Sequence, residues 1–227
     1  MNSSEHTPLS GEIKQIARTK APAFNEPPSM VTRRKFVVAV FLLIGAALLG
    51  YSLSLPPGDS SFVWLTLALA AVWAIGAFLS GPLHWGHVSF RGRNQRPVIT
   101  GTGVGLGLGA IFVLGALVAR QIPPVRDYIT SVLEYVNTAP LWAIAFITVI
   151  NGLAEEMFFR GALYTALWKY KPVLVSTVLY VIATAVTTGN PMLGFAAIVL
   201  GTVCALERRA TGGVLAPMLT HFFWGLV

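Results

Sequence analysis

The sequence predicts an all-α fold: a polytopic membrane helical bundle of about seven transmembrane helices plus one interfacial helix. Three observations predict it. Hydrophobic residues fill 55% of the 227 positions and charged residues only 11%, where a soluble domain carries about a quarter charged. The mean hydropathy is +0.69. The apolar residues are also gathered into runs, several long enough to cross ~30 Å of hydrocarbon at 1.5 Å per residue. A single cysteine, Cys204, excludes an internal disulfide framework and a zinc site built on cysteines.

Residues 1–35 are polar, rich in Ser, Pro, Lys and Arg, and end in the basic run Arg33-Arg34-Lys35. They read as a disordered cytoplasmic leader. The run Phe36 to Leu55 is too long for the apolar part of a cleaved signal peptide and reads as a signal anchor. Pro56-Pro57-Gly58-Asp59 turns the chain into a second span, Phe62 to Ser80. A basic loop, Gly81 to Pro97, leads to a third span, Val98 to Ala119. After Pro123-Pro124, residues Val125 to Asn137 form an amphipathic interfacial helix with Val125, Ile129, Val132, Leu133 and Val136 on one face.

A long fourth span runs from about Leu141 to Trp168, and Lys169-Tyr170-Lys171-Pro172 separates it from a fifth, Val173 to Val186. Gly189-Asn190-Pro191 precedes a sixth, Met192 to Leu206. Glu207-Arg208-Arg209 and Thr211-Gly212-Gly213 then form a loop before a short seventh helix from about Val214. Three regions follow: the leader 1–35, membrane helices without a recognised motif at 36–140, and a motif-bearing membrane core at 141–227.

The net charge of +7 does not point to nucleic acid, because the cations cluster beside apolar runs. With the N-terminus in the cytoplasm, Lys14, Arg18, Lys20, Arg33, Arg34, Lys35, Arg91, Arg93, Arg96, Lys169, Lys171, Arg208 and Arg209 share that side. Arg120 and Arg126 fall opposite, and Arg160 lies within a span. That asymmetry sets the orientation. The basic leader, without organellar targeting, fits a bacterial plasma membrane.

Seven of the nine acids lie in loops, tails or helix ends; Glu155 and Glu156 sit deep in an apolar helix. Placing ionisable groups at that depth costs several kcal/mol and calls for a compensating reason. Glu156 and Arg160, four residues apart, are spaced to pair. Glu155 projects about 100° away and lacks that partner. A carboxylate beside a compensated neighbour suits general-base work on water. A structural ion pair, proton or ion transport and hydrolysis all remain open on these residues alone. His221 is the one histidine within a span, at a depth comparable with Glu155, so one cytoplasm-facing cavity can hold both.

The glycines Gly101, Gly105 and Gly109 have the spacing of close helix packing, and no phosphate-loop ending follows them. His84 and His87 read as a solvated loop pair rather than ligands.

The stretch Glu155-Glu156-Met157-Phe158-Phe159-Arg160-Gly161 resembles the Glu-Glu-x-x-x-Arg motif of the CAAX-protease and bacteriocin-processing family of intramembrane endopeptidases. Ser176, Gly201 and the run from Gly212 to His221 are also similar to that family's text, over roughly Leu141 to Val227. The resemblance implies an endopeptidase acting on a membrane-associated peptide or protein in the bilayer. It makes Glu155 the water-activating base, with Glu156 and Arg160 as support. His221 becomes an oxyanion donor or, in metal-based accounts, a ligand beside Glu155 for a divalent ion such as zinc.

Two positions depart from the family. Thr184 stands where an aromatic-x-x-x-His motif, here beginning at Tyr180, has its histidine. Gly225 replaces the asparagine four residues after the final histidine. A hydroxyl cannot take up a proton near pH 7 as imidazole can, although Thr184 can still hydrogen-bond water, and Thr187, Thr188 and Asn190 follow closely. An inert relative that binds a membrane partner, and a small proton-coupled transporter, are therefore the alternatives to a working peptidase.

Overall fold

The computed structural model describes residues 14, 16, 18–22, 24–90, 92–134, 140–186 and 189–227. Most of the leader before Arg18, together with Arg91, Val136, Asn137, Thr187 and Thr188, lies outside the described residues. The helices are α1 (Pro28–Ser54), α2 (Ser61–Ser80), α3 (Val98–Ala119), α4 (Pro123–Leu133), α5 (Leu141–Ala166), α6 (Pro172–Val181), α7 (Pro191–Thr211) and α8 (Leu215–Leu226). A π-helical turn, Ile182–Val186, extends α6. The sheet among the described residues is a two-stranded ribbon in the basic loop, β1 (Val88–Phe90) antiparallel to β2 (Arg93–Gln95).

The fold is the all-α membrane bundle the composition predicts. Helices α1, α2, α3, α5 and α7 are long and apolar enough to cross a bilayer. The expected fifth and seventh spans correspond to shorter apolar helices, α6 and the 12-residue α8. At 1.5 Å per residue, α8 covers only ~18 Å. The chain is a multi-pass membrane protein. Large apolar side chains such as Phe36, Trp64, Ile99, Leu141 and Trp142 face outward, 71% or more exposed, as a lipid-facing surface requires.

Two boundaries move from the sequence expectation. Helix α1 starts at Pro28, eight residues before the apolar run, because a proline at N1 is preset for helix. Arg34 is consequently inside the bundle. Its side chain is 1% exposed and pairs with Glu26, while Nη1 donates to Ser80 Oγ at 3.0 Å and Nη2 to the Pro82 carbonyl at 3.2 Å. Helix α7 also runs five residues past Leu206, to Thr211, so Glu207 and Arg208 are buried helical residues, not a loop. Gly212, at φ +74°, ends that helix in the left-handed conformation glycine tolerates best.

Small residues set the helix spacing. A Cβ at Gly101 would lie 2.7 Å from the Ala216 carbonyl oxygen, and one at Gly105 2.7 Å from that of Thr220. At Gly109 it would meet Val227 at 2.8 Å, whereas Gly103 and Gly107 face open space. The four-residue glycine row therefore seats α8 against α3, backbone to backbone. This joins the motif-bearing core to the preceding helices, and Thr220 Oγ1 lies 3.0 Å from the Gly101 carbonyl oxygen. On the other side, Trp73 of α2 fills the space above Gly45 of α1. Its ring packs at 4.7 Å on Phe158 and 5.1 Å on Phe159 of α5.

The basic ends converge at one end of the bundle. His87 N–H donates to the Thr211 carbonyl at 2.9 Å, and Val214 N–H to that of His84 at 2.8 Å. Ala21 N–H donates to the Arg209 carbonyl at 2.9 Å, tying part of the leader to this end. His87 is exposed, but His84 is not the solvated residue its loop suggests: it is half-buried and stacks on Phe24 at 3.4 Å.

Candidate active site

Glu155 and Glu156 close the α-helical part of α5, and a π-helical stretch, Met157–Leu163, follows at once. A π turn adds a residue to the backbone ring, changes the phase of side chains along the helix, and is frequent at functional sites. Here it coincides with six consecutive buried residues, Phe158 to Leu163. Phe158 and Phe159 turn to Trp73, Arg160 turns inward, and Gly161 admits Leu83, whose Cδ2 lies 2.7 Å from where a Cβ would stand.

The two carboxylates have different surroundings. Glu156 is fully buried, and Oε1 lies 3.1 Å from Arg160 Nη1 and 3.0 Å from His221 Nδ1. Arg160, itself 1% exposed, donates from Nη2 to the Gly201 carbonyl at 3.0 Å, and its guanidinium lies 4.6 Å from the Tyr180 ring centroid. Glu156 is thus held by two cationic or cation-capable groups. Burying a charge is tolerable in this arrangement, because the partner and the hydrogen bonds replace the lost hydration. Glu155 points elsewhere and is half-buried. The Tyr180 hydroxyl donates to its Oε2 at 3.0 Å.

His221 reaches the site from α8 because Gly152, one turn before Glu156 on α5, has no side chain. A Cβ there would lie 2.9 Å from the imidazole Cδ2. Trp224 flanks the ring at 5.6 Å, edge to face. With Nδ1–H donating to Glu156, a neutral ring leaves Nε2 as an acceptor, and an imidazolium makes it a donor. Gly225, one turn after His221, faces Thr148, whose Cγ2 would be 3.2 Å from an added Cβ.

Glu155, Glu156, Arg160 and His221 therefore come together on α5 and α8, with Tyr180 of α6 completing the group. Thr184 lies one turn beyond Tyr180, in the π-helical turn Ile182–Val186, and is half-buried. Asn190 serves elsewhere: its Oδ1 caps α7 by accepting from Met192 N–H at 2.9 Å, and its Nδ2 donates to Ser131 Oγ of α4 at 3.1 Å.

Three polar positions near this group escaped the sequence reading. Tyr180 enters the sequence pattern only as the opening aromatic of a motif, yet it is the direct partner of Glu155. Asn151 is buried one turn before Glu155 and donates to the Ile147 carbonyl at 2.8 Å; its i, i+4 spacing to Glu155 was the available signal. Glu207 is 9% exposed and shares a 2.9 Å hydrogen bond with Thr220. Its neighbour Arg208 turns away and donates from Nε to the Arg160 carbonyl at 2.8 Å, bracing the π turn from outside.

A divalent metal does not fit these side chains. Among the described residues no three His, Cys, Asp or Glu converge. His221 Nδ1 lies 3.0 Å from Glu156, and the Arg160 guanidinium 3.1 Å from that carboxylate would repel a second cation. A catalytic zinc normally takes three protein ligands and keeps one open position.

Comparison with known families matches residues 137–227 to the model described as Type II CAAX prenyl endopeptidase Rce1-like. The match covers the helices that carry every residue of the group above. No curated protein and no solved structure matches the chain.

Proposed function

We propose that this chain, whose residues 137–227 match the model described as Type II CAAX prenyl endopeptidase Rce1-like, is an intramembrane endopeptidase that hydrolyses a membrane-associated peptide with water activated by Glu155. The single observation that carries the reading is the unequal pair. Glu156 is fully buried and bound by Arg160 and His221, whereas Glu155 is half-buried and held by one phenol.

In this reading Tyr180 donates to Glu155 Oε2 and fixes the carboxylate, leaving Oε1 to accept a proton from water. The water oxygen attacks the scissile carbonyl, Glu155 takes the proton, and passes it to the departing amine as the C–N bond breaks. In this reading His221, held by Glu156 through Nδ1, donates from Nε2 in its imidazolium form to the developing oxyanion. The N-terminus and the basic end of the bundle are assigned to the cytoplasm by the distribution of Lys and Arg, in a bacterial plasma membrane.

A second reading, an inert relative that binds a membrane peptide, draws on Thr184 and Gly225, which replace the family's histidine and asparagine. The test for both is cleavage of a membrane-peptide library by the purified chain in bicelles, beside Glu155→Gln and Thr184→His/Gly225→Asn. Cleavage by the wild type that disappears in Glu155→Gln supports the peptidase. Cleavage by the double variant alone assigns the chain to the inert class.

A further inference from the structure

We propose that a cavity walled by α5, α6 and α7, at the basic end of the bundle, binds the headgroup of an anionic phospholipid. The inference does not depend on the peptidase reading. The cavity has a volume of about 390 Å³, which matches a small polar headgroup rather than a folded partner.

Its lining sorts into two parts. Lys20 of the leader, Lys171 before α6 and Arg209 near the end of α7 contribute three cations, and among the described residues no carboxylate lines the cavity. Three cations around one cavity raise its positive potential, which favours an anionic occupant. The other wall is aromatic and apolar, with Trp168 and Leu174 prominent. Leu174 is 59% exposed on the outer surface, so this wall continues onto the lipid-facing side of the bundle. A molecule with an anionic head and an apolar tail satisfies both parts at once. Trp168 and Tyr164 also suit the headgroup level, where amphipathic rings concentrate, and basic pockets between helices at that level select anionic lipids.

The backbone adds an independent sign. Lys171, at φ +50°, is the one non-glycine residue with positive φ among the described residues. Conformations of this kind persist where surrounding structure or function holds them, and this one sets a cation at the cavity rim. The cavity is separate from the carboxylate group: Thr177, on its inner wall, donates to the Gly201 carbonyl at 3.3 Å, and Arg160 meets the same oxygen from the opposite side.

The experiment uses the full chain in phosphatidylcholine nanodiscs doped with phosphatidylglycerol, with retained lipid counted by native mass spectrometry. The expected result is one phosphatidylglycerol retained in preference to phosphatidylcholine. Lys20→Gln/Lys171→Gln should weaken that retention about 25-fold, from about fivefold per cation. Lys171→Gly tests the site without backbone strain, since glycine accepts positive φ, and should lose about fivefold. Equal retention of the two lipids, or retention unchanged in Lys171→Gly, overturns the proposal. Displacement of the lipid by millimolar inorganic phosphate alone also overturns it, in favour of a soluble phosphate site.

Discussion

His221 Nδ1 lies 3.0 Å from Oε1 of Glu156, the second carboxylate of the pair, not the first. The histidine of α8 and the arginine one turn along α5 grip the same oxygen. Glu156 is bound by both groups, and Glu155, half-buried beside Tyr180, is the carboxylate the proposed mechanism uses.

Stability should divide the pair. Removing the charge of Glu156 leaves Arg160 buried without its counterion, and breaking a buried pair costs about 3–5 kcal/mol. Glu156→Gln should therefore lower stability by roughly that amount, while Glu155→Gln, at a half-buried site with one hydrogen bond, should cost about 1 kcal/mol. Unfolding in mixed micelles, followed by circular dichroism, measures both.

Gly152→Ala should displace His221. The new Cβ would stand 2.9 Å from the imidazole ring, too close for any real contact. Cleavage should drop about 10²-fold or more, in keeping with the loss of a positioned catalytic partner, with smaller effects at the exposed Leu141. Parallel assays of Gly152→Ala and Leu141→Ala check it.

The glycine row supplies an internal control. Gly105→Ala would push a methyl to 2.7 Å from the Thr220 carbonyl oxygen and should separate α3 from α8, lowering stability by about 1–3 kcal/mol. Gly107→Ala meets nothing within 4 Å and should stabilise by up to about 1 kcal/mol through helix propensity. Opposite signs at two neighbouring glycines, read by the same unfolding assay, are the expected outcome.

These contrasts show how much the sequence made legible. The all-helical membrane class, the order of the helices, the Glu156–Arg160 pair and the glycine row follow from periodicity and residue spacing, which are local. What escaped depends on tertiary placement. Arg34 and Arg208 look like loop cations in the chain, yet each is buried against partners from distant helices, Ser80 and Arg160. Glu207 reads as a loop residue because charged residues end an apolar run, while helix α7 continues through it. The π turn after Glu156 has no composition signature, and it is what decides the directions of Phe159 and Arg160. Tyr180 reads as the opening aromatic of a motif, and its contact with Glu155 emerges only when α6 is set against α5.

Stability should also fall with acidity through His84. Burial, then the nearby Arg208 and Arg34 guanidinium groups, hold its imidazole below the ordinary value of about 6.5, against the opposing pull of Glu26. A histidine with a lowered folded value binds fewer protons folded than unfolded. Its contribution is therefore complete above about pH 6.5, is lost as pH falls below that, and levels off under the folded value. Unfolding midpoints between pH 7.5 and 5 should decline in the wild type more than in His84→Gln.

The central claim, that Glu155 rather than Glu156 activates water, is tested most directly by the cleavage rate of Glu155→Gln at equal folded concentration in bicelles. The account predicts a variant folded like the wild type whose cleavage falls at least about 100-fold. A variant that cleaves at the wild-type rate would contradict it.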